Sequence, residues 1–230
     1  MHQPRDVSPE PHGLSRACRE LAAGDAVVVP NPAPLTYGIV ATTAPAVNRL
    51  KRRPSGQNVA VSMHDRTQWH QVKRGIDLPP AALDAVEFLL ERRLSVLVPV
   101  RSTVSLPRWV TPAVRDGYLA VFDGSWAPTA RLWQQFPRLY GSSANPTGGP
   151  PAASAAQAAA AFGDACAVVD ADGLDGPPGS RWASTMVRID PTGLLELHRS
   201  GAQDTTSGLP SNEYCDDLAD AVGLTRGTRP

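Results

Sequence analysis

"YGSSANPTGGPPAAS", residues 140–154, ends an apolar run and leads into an alanine-rich one. Upstream, "RLYGSS" reads as a strand that brings Ser142 and Ser143 to its end, with Asn145 just beyond. Ser, Asn, Pro and Gly are turn formers for known backbone reasons, so a turn is the plainest reading. Downstream, "ASAAQAAAAFG" reads as a helix, with Ser154 and Gln157 as a capping box and Gly163 as its stop. Strand, polar turn and helix start in that order also set a hydroxyl, an amide and free backbone N–H groups at one point, which suits an anion.

Working outward, the same alternation recurs. "LSRACRELAAG" has helical spacing with Gly24 as a stop, and "DAVVVP" reads as a short buried strand. "PAVNRLKRRP" reads as a helix ending before Pro54, "NVAVSM" as a strand, and "PPAALDAVEFLLERR" as an amphipathic helix with proline in its first turn. "LSVLVPV" and "GYLAVF" read as strands, "PTARLWQQF" as a helix, and "ACAVVDA", "STMVRID" and "LLELHRSG" as further strands. This pattern predicts an α/β fold. Several connections are too short for helical crossovers, so the sheet is expected to be mixed. Residues 1–13 read as a loose tail, 14–201 as the domain, and 202–230 as a polar appendage with one short helix.

The chain has 230 residues and 42% hydrophobic content, enough for a globular core. Its 22 basic and 22 acidic residues balance, so any basic site has to be local. Three widely spaced cysteines support neither a disulfide framework nor a zinc site, and the five histidines show no metal spacing. No metal ligands are assigned. The N-terminus lacks an apolar segment of signal-peptide type, and no run approaches a membrane span. A cytoplasmic protein is expected.

Four clusters stand at ends of these elements: Lys51 and Arg53 in "KRRPSG", Ser143 with Asn145, Ser184 with Thr185, and Arg199 before Ser200 and Gly201. Each has a structural reading. Cations favour helix C-termini, for example, and hydroxyls favour turns. Together they could hold a triphosphate, since phosphoryl and nucleotidyl transfer need mainly positioning and charge neutralisation. No Walker A sequence, Rossmann glycine motif or G-x-S-x-G elbow is present.

The order of these clusters resembles the YrdC family, the threonylcarbamoyl-AMP synthases. Lys51-Arg52-Arg53-Pro54, Ser143-Ala144-Asn145, Ser184-Thr185 and Arg199-Ser200-Gly201 are similar to its motifs, and Tyr37 matches the tyrosine of its Pro-Thr-Asp-Thr-Val-Tyr-Gly-Leu segment. The resemblance implies a twisted mixed sheet flanked by helices, with an open, positively charged concave cleft. It implies ATP, bicarbonate and a small amino acid or amine as substrates, magnesium as the accompanying ion, and a place in tRNA threonylcarbamoyladenosine formation. It also implies double-stranded RNA as a partner. By carry-over, Lys51, Arg53, Ser143 and Asn145 are the catalytic candidates. Tyr37, Ser143, Asn145, Ser184 and Arg199 are the nucleotide-side candidates.

Departures fall at the amino-acid end. The family's Thr-Asp-Thr is replaced by Ala33, Pro34 and Leu35, its Pro-Gly-Pro-x-Thr stretch by "ERRLS", and an arginine by a residue near Phe122. Lost hydrogen-bonding groups predict relaxed or altered amine choice. Two function classes stay open: a carbamoyl-adenylate synthase, and a non-catalytic paralogue that binds nucleotide or RNA.

Overall fold

The computed structural model describes residues 11–175 and 179–226. The chain runs α1 (Leu14–Ala22), β1 (Val27–Val29), β2 (Gly38–Ala41), α2 (Ala44–Leu50), β3 (Ala60–Ser62), α3 (Arg66–Val72), α4 (Pro80–Glu91), β4 (Ser95–Pro99), β5 (Val114–Arg115) and β6 (Tyr118–Phe122). It continues through α5 (Ala130–Gln135), β7 (Tyr140–Ser143), α6 (Ala155–Phe162), β8 (Met186–Ile189), β9 (Leu194–Arg199), α7 (Ala202–Thr206), α8 (Ser211–Val222) and β10 (Thr225–Arg226). The strands join one twisted mixed sheet in the order β1-β2-β7-β3-β6-β4-β8-β9-β10, with β5 paired to β6. β3 runs parallel to β6, and β4 parallel to β8, while β4–β6 and β2–β7 are antiparallel.

Local chemistry accounts for the helix starts. Thr43 caps α2 by accepting from Ala46 N–H, and Asp65 and Gln68 form a capping box on α3. Pro80 opens α4, where its missing N–H costs nothing. At α6 the box is only half formed. Ser154 accepts from Gln157 N–H, but the Gln157 side chain accepts from Ala153 N–H rather than from the cap residue. Gly163 ends α6 in right-handed helical conformation, so it is not the left-handed stop that Gly24 is at φ 88°.

Strand alternation divides the sheet into two faces. Ile39, Val61, Val96, Val98, Leu119, Val121, Val187 and Ile189 point to the main core, beneath α2, α4, α6 and α8. The opposite face is covered at one edge by a second cluster, in which α1 and α5 place Leu14, Leu21, Leu132 and Trp133 over Val27, Val29 and Val40. The rest of that face is left open.

Two readings of the chain are corrected. Residues 165–171 form no ladder strand; their backbone pairs with the sheet through one isolated parallel bridge, Val28 with Val168, and a second bridge joins Asp170 to His12 outside the sheet. Val169 N–H donates to Val28 O, but the N–H groups before it are used elsewhere: Ala165 and Cys166 bond back to Phe162 O, and Ala167 bonds to the Glu20 carboxylate. The C-terminal segment, expected to hold one short helix, carries two helices and a strand. Cys215, Leu218 and Ala219 of α8 enter the main core at helical spacing, and β10 extends the sheet alongside β9. Of the expected N-terminal tail, residues 1–10 lie outside the described residues.

Candidate functional site

The open sheet face forms the floor of a cavity of about 590 Å³, within the range of small-molecule sites. Register fixes which side chains reach it. Gly38 lies opposite Ser143, Ala60 opposite Gly141, Leu97 opposite Ala120 and beside Arg188, and Ser95 beside Met186. All of these line the cavity, with Phe122 and Trp133 at one end. The floor is largely apolar, and the polar groups stand at its edges.

One edge is the turn after β7. Lys51, at the C-terminus of α2, is 5% exposed. Its Nζ donates to Ser143 O at 2.6 Å and to Asn145 Oδ1 at 2.9 Å. Ser143 Oγ donates to the same Asn145 oxygen, and Asn145 Nδ2 donates to Gly149 O at 2.7 Å. The cation, hydroxyl and amide therefore form one unit that shapes the turn. Burial, and secondarily the neighbouring Arg53 charge, lower the Lys51 pKa to about 8.

The other edge is the entry to β8 and the end of β9. Ser184 and Ser95 share a hydroxyl hydrogen bond of 2.6 Å, and Arg199 Nη2 donates to Ser184 O at 3.1 Å. The two edges meet through a strap. Thr36 N–H donates to Trp182 O, and Trp182 N–H donates to Pro34 O, both at 2.9 Å. Arg181 fastens the strap by donating to Asn31 O and Leu35 O while pairing with Asp175 at 3.0 Å, with both side chains almost buried. Of the arginines lining the cavity, Arg188 pairs with Glu196 and Arg115 with Asp116. Arg199 has no carboxylate partner among the described residues.

The candidate residues thus differ in where they stand. Ser143, Ser184 and Arg199 line the cavity. Lys51 and Asn145 stand directly behind Ser143. Arg53 does not reach the cavity: its Nε donates to Asn48 Oδ1 at 2.6 Å and its Nη2 to Asn58 O at 3.0 Å, bracing the loop after α2. Tyr37 also lines the cavity, but its phenol is committed internally. It is 1% exposed and donates to Asp172 Oδ1 at 2.8 Å, and burial together with that carboxylate raises its pKa. Its backbone also holds the motif turn, accepting from Ala144 N–H and donating to Ala152 O. The start of α6 is not free for an anion either. Asp172 Oδ2 takes Ala155 N–H at 2.7 Å and Ser154 takes Gln157 N–H.

Sequence reading missed Ser95, the Arg181–Asp175 strap and the network around Asp204. Ser95 carried a signal, being the first residue of an alternating strand. The strap and Asp204 carried none, because Asp175, Arg181 and Asp204 sit in polar stretches without alternation or motif.

An open-faced mixed sheet with a hydroxyl- and cation-edged cavity defines the class of α/β protein. The chain belongs to the Sua5/YciO/YrdC family: that family's model, described as telomere recombination, matches residues 20–201. No curated protein matches the sequence. Among solved structures it is similar to P. abyssi Sua5 complexed with L-threonine (19% identity, TM-score 0.63, 93% of this chain and 58% of that one). It is also similar to E. coli YciO (12% identity, TM-score 0.62, 88% of this chain and 95% of that one). A third likeness is to full-length HypF in its phosphate- and nucleotide-bound form (16% identity, TM-score 0.58, 83% of this chain and 29% of that one). The chain therefore spans a little over half of Sua5 and under a third of HypF. At these identities the likeness is one of fold. No helix among the described residues is long and apolar enough to cross a membrane.

Proposed function

We propose that this chain is an ATP-dependent carbamoyl-adenylate synthase with altered amine choice. In this reading an amine and bicarbonate condense to a carbamate with loss of water. A carbamate oxygen attacks the α-phosphorus, the bond to the β-phosphate oxygen breaks, and pyrophosphate leaves. The reaction asks the protein for positioning and charge neutralisation more than for covalent chemistry. The observation that carries the reading is the Lys51–Asn145–Ser143 unit, set on a shared cavity with Ser184 and Arg199 in a chain of this family. Lys51 uses two of its three N–H donors to fix the turn and supplies positive charge behind Ser143. Arg199 supplies charge on the opposite edge.

Magnesium fits as an ion carried by the triphosphate. The described residues contain no group of three or more His, Cys, Asp or Glu arranged for a metal, and magnesium commonly rests on substrate phosphates with few protein ligands. When bound it neutralises phosphate charge; the protein's own part is to hold and orient the nucleotide.

Amine choice is read from the floor. Ala120, Phe122, Leu97 and Met186 offer apolar contact, and Leu35 of the strap is 3% exposed. Such a surface favours a less polar amine than threonine. The test is pyrophosphate release from ATP and bicarbonate across a panel of amino acids and amines. Amine-dependent release with little threonine preference supports the reading, and robust threonine-selective release would refute the altered choice. A second reading, a nucleotide- or RNA-binding paralogue without turnover, is favoured by the internal engagement of Arg53 and Tyr37. ATP binding without release in the same assay supports it.

A further inference from the structure

We infer that Asp204 is a positioning residue for the cavity wall formed by Ser184 and Arg199, and that the segment following the family match thereby helps build the site. This rests on the nucleotide-binding reading above. Asp204 lies three residues beyond the last residue matched by the family model and is 1% exposed. Its Oδ1 accepts from Thr185 Oγ1 at 2.6 Å and from Gly201 N–H at 2.7 Å. Its Oδ2 accepts from Ser200 Oγ and, at 2.7 Å, from Ser211 Oγ at the start of α8. One buried carboxylate thus ties the residue after Ser184, both residues after Arg199, and α8.

The surrounding contacts leave this wall little freedom. Thr185 Oγ1 also accepts from Gln203 N–H at 3.0 Å, and Thr185 N–H donates to Gln203 Oε1 at 2.8 Å. Gly201 presses on the Ser184 peptide so closely that a Cβ there would lie 2.4 Å from Ala183 O and Thr185 N. Burial works against the Asp204 charge, but the bonds from Ser200, Thr185, Gly201 and Ser211 outweigh it and hold the carboxyl at about 2. It stays ionised at neutral pH as a fixed acceptor with all four bonds made. The Arg199 guanidinium, bonded only to Ser184 O among the described contacts, takes its place from this backbone.

The experiment is calorimetric titration of the full chain with magnesium–ATP in a double-mutant cycle. Arg199→Ala and Asp204→Ala are each expected to weaken binding about tenfold. Together they should be little weaker than Arg199→Ala alone, because contacts sharing one network are not additive. Asp204→Ala combined with Lys51→Ala should instead multiply, as independent sites do. Where Asp204→Ala fails to fold, Asp204→Asn carries the same cycle, since the Ser200 and Ser211 hydroxyls can turn to accept from the amide; a loss of about threefold is then expected. A folded Asp204 variant that binds ATP like the wild type, or whose effect multiplies with Arg199→Ala, overturns the positioning role and leaves the cavity reading standing. If neither Lys51→Ala nor Arg199→Ala weakens ATP binding, the nucleotide reading falls, and the positioning role falls with it.

Discussion

Replacing Lys51 with methionine separates the energetics of this site from its proposed chemistry. Methionine fills similar volume without the ammonium. The folded chain holds Lys51 almost fully buried with a pKa of about 8, against 10.5 for an exposed lysine. That gap corresponds to about 3 kcal/mol between the two protonation states. Its folded pKa is the lower one, so between about pH 8 and 10.5 the unfolded chain binds the extra proton, and stability rises with pH. Above that window the contribution is fully present; it is lost as pH falls through the folded pKa. Relative to Lys51→Met, the wild type should therefore gain about 3 kcal/mol on going from pH 7.5 to 10.5. Near neutrality the variant loses two hydrogen bonds from a charged donor, about 1.5–3 kcal/mol each, and escapes the cost of burying that charge. The two nearly cancel, leaving a difference of about 1 kcal/mol of either sign. Urea unfolding of both proteins across this pH range measures the difference curve, and other titrating groups drop out of it. A flat curve would refute the argument, because it would mean that the ammonium is not desolvated in the fold. ATP affinity should fall at least tenfold in the same variant.

Tyr37→Phe should cost about 1–3 kcal/mol of stability, since Asp172 loses a buried donor, while ATP affinity changes less than about twofold. A tenfold affinity loss by calorimetry would return Tyr37 to the list of ligand contacts. Arg181→Met should destabilise by about 3–5 kcal/mol, because it strands Asp175 and two strap carbonyls; a denaturation midpoint close to wild type would show that the strap is not held from there. Phe122→Arg places a cation at the apolar end of the floor and should raise threonine-dependent pyrophosphate release relative to that with apolar amines. An unchanged ratio would remove Phe122 from amine selection.

Much of the fold was legible because alternation and capping are local. "GYLAVF" became β6 with Leu119 and Val121 buried, and "PPAALDAVEFLLERR" became α4 starting at Pro80. The failures came where tertiary bonds overrode local pattern. "ACAVVDA" has strand composition, but the Glu20 carboxylate and the Phe162 carbonyl took N–H groups that a ladder needed. Residues 202–226 looked polar because α8 buries only Cys215, Leu218 and Ala219, a stripe too narrow to shift the composition.

The placement of the candidate residues was legible in the sequence more than their bonding was. Residue type and order pointed to Ser143, Ser184 and Arg199, which line one cavity, and to Lys51 and Asn145, which stand behind Ser143, because motifs at strand and helix ends converge when the strands share a sheet. What a motif cannot specify is which atoms are left for a ligand after the protein has satisfied its own buried groups. Tyr37 and Arg53 have the right chemistry for an anion, yet Asp172 and Asn48 engage them first. The α6 start has the right geometry, yet Asp172 fills it. Asp204 is the converse, a residue with no motif that gathers four donors from three parts of the chain. A buried carboxylate so placed constrains Ser184 and Arg199 more tightly than their own sequence does. Substitutions at Asp204 should accordingly alter ligand affinity without touching a ligand.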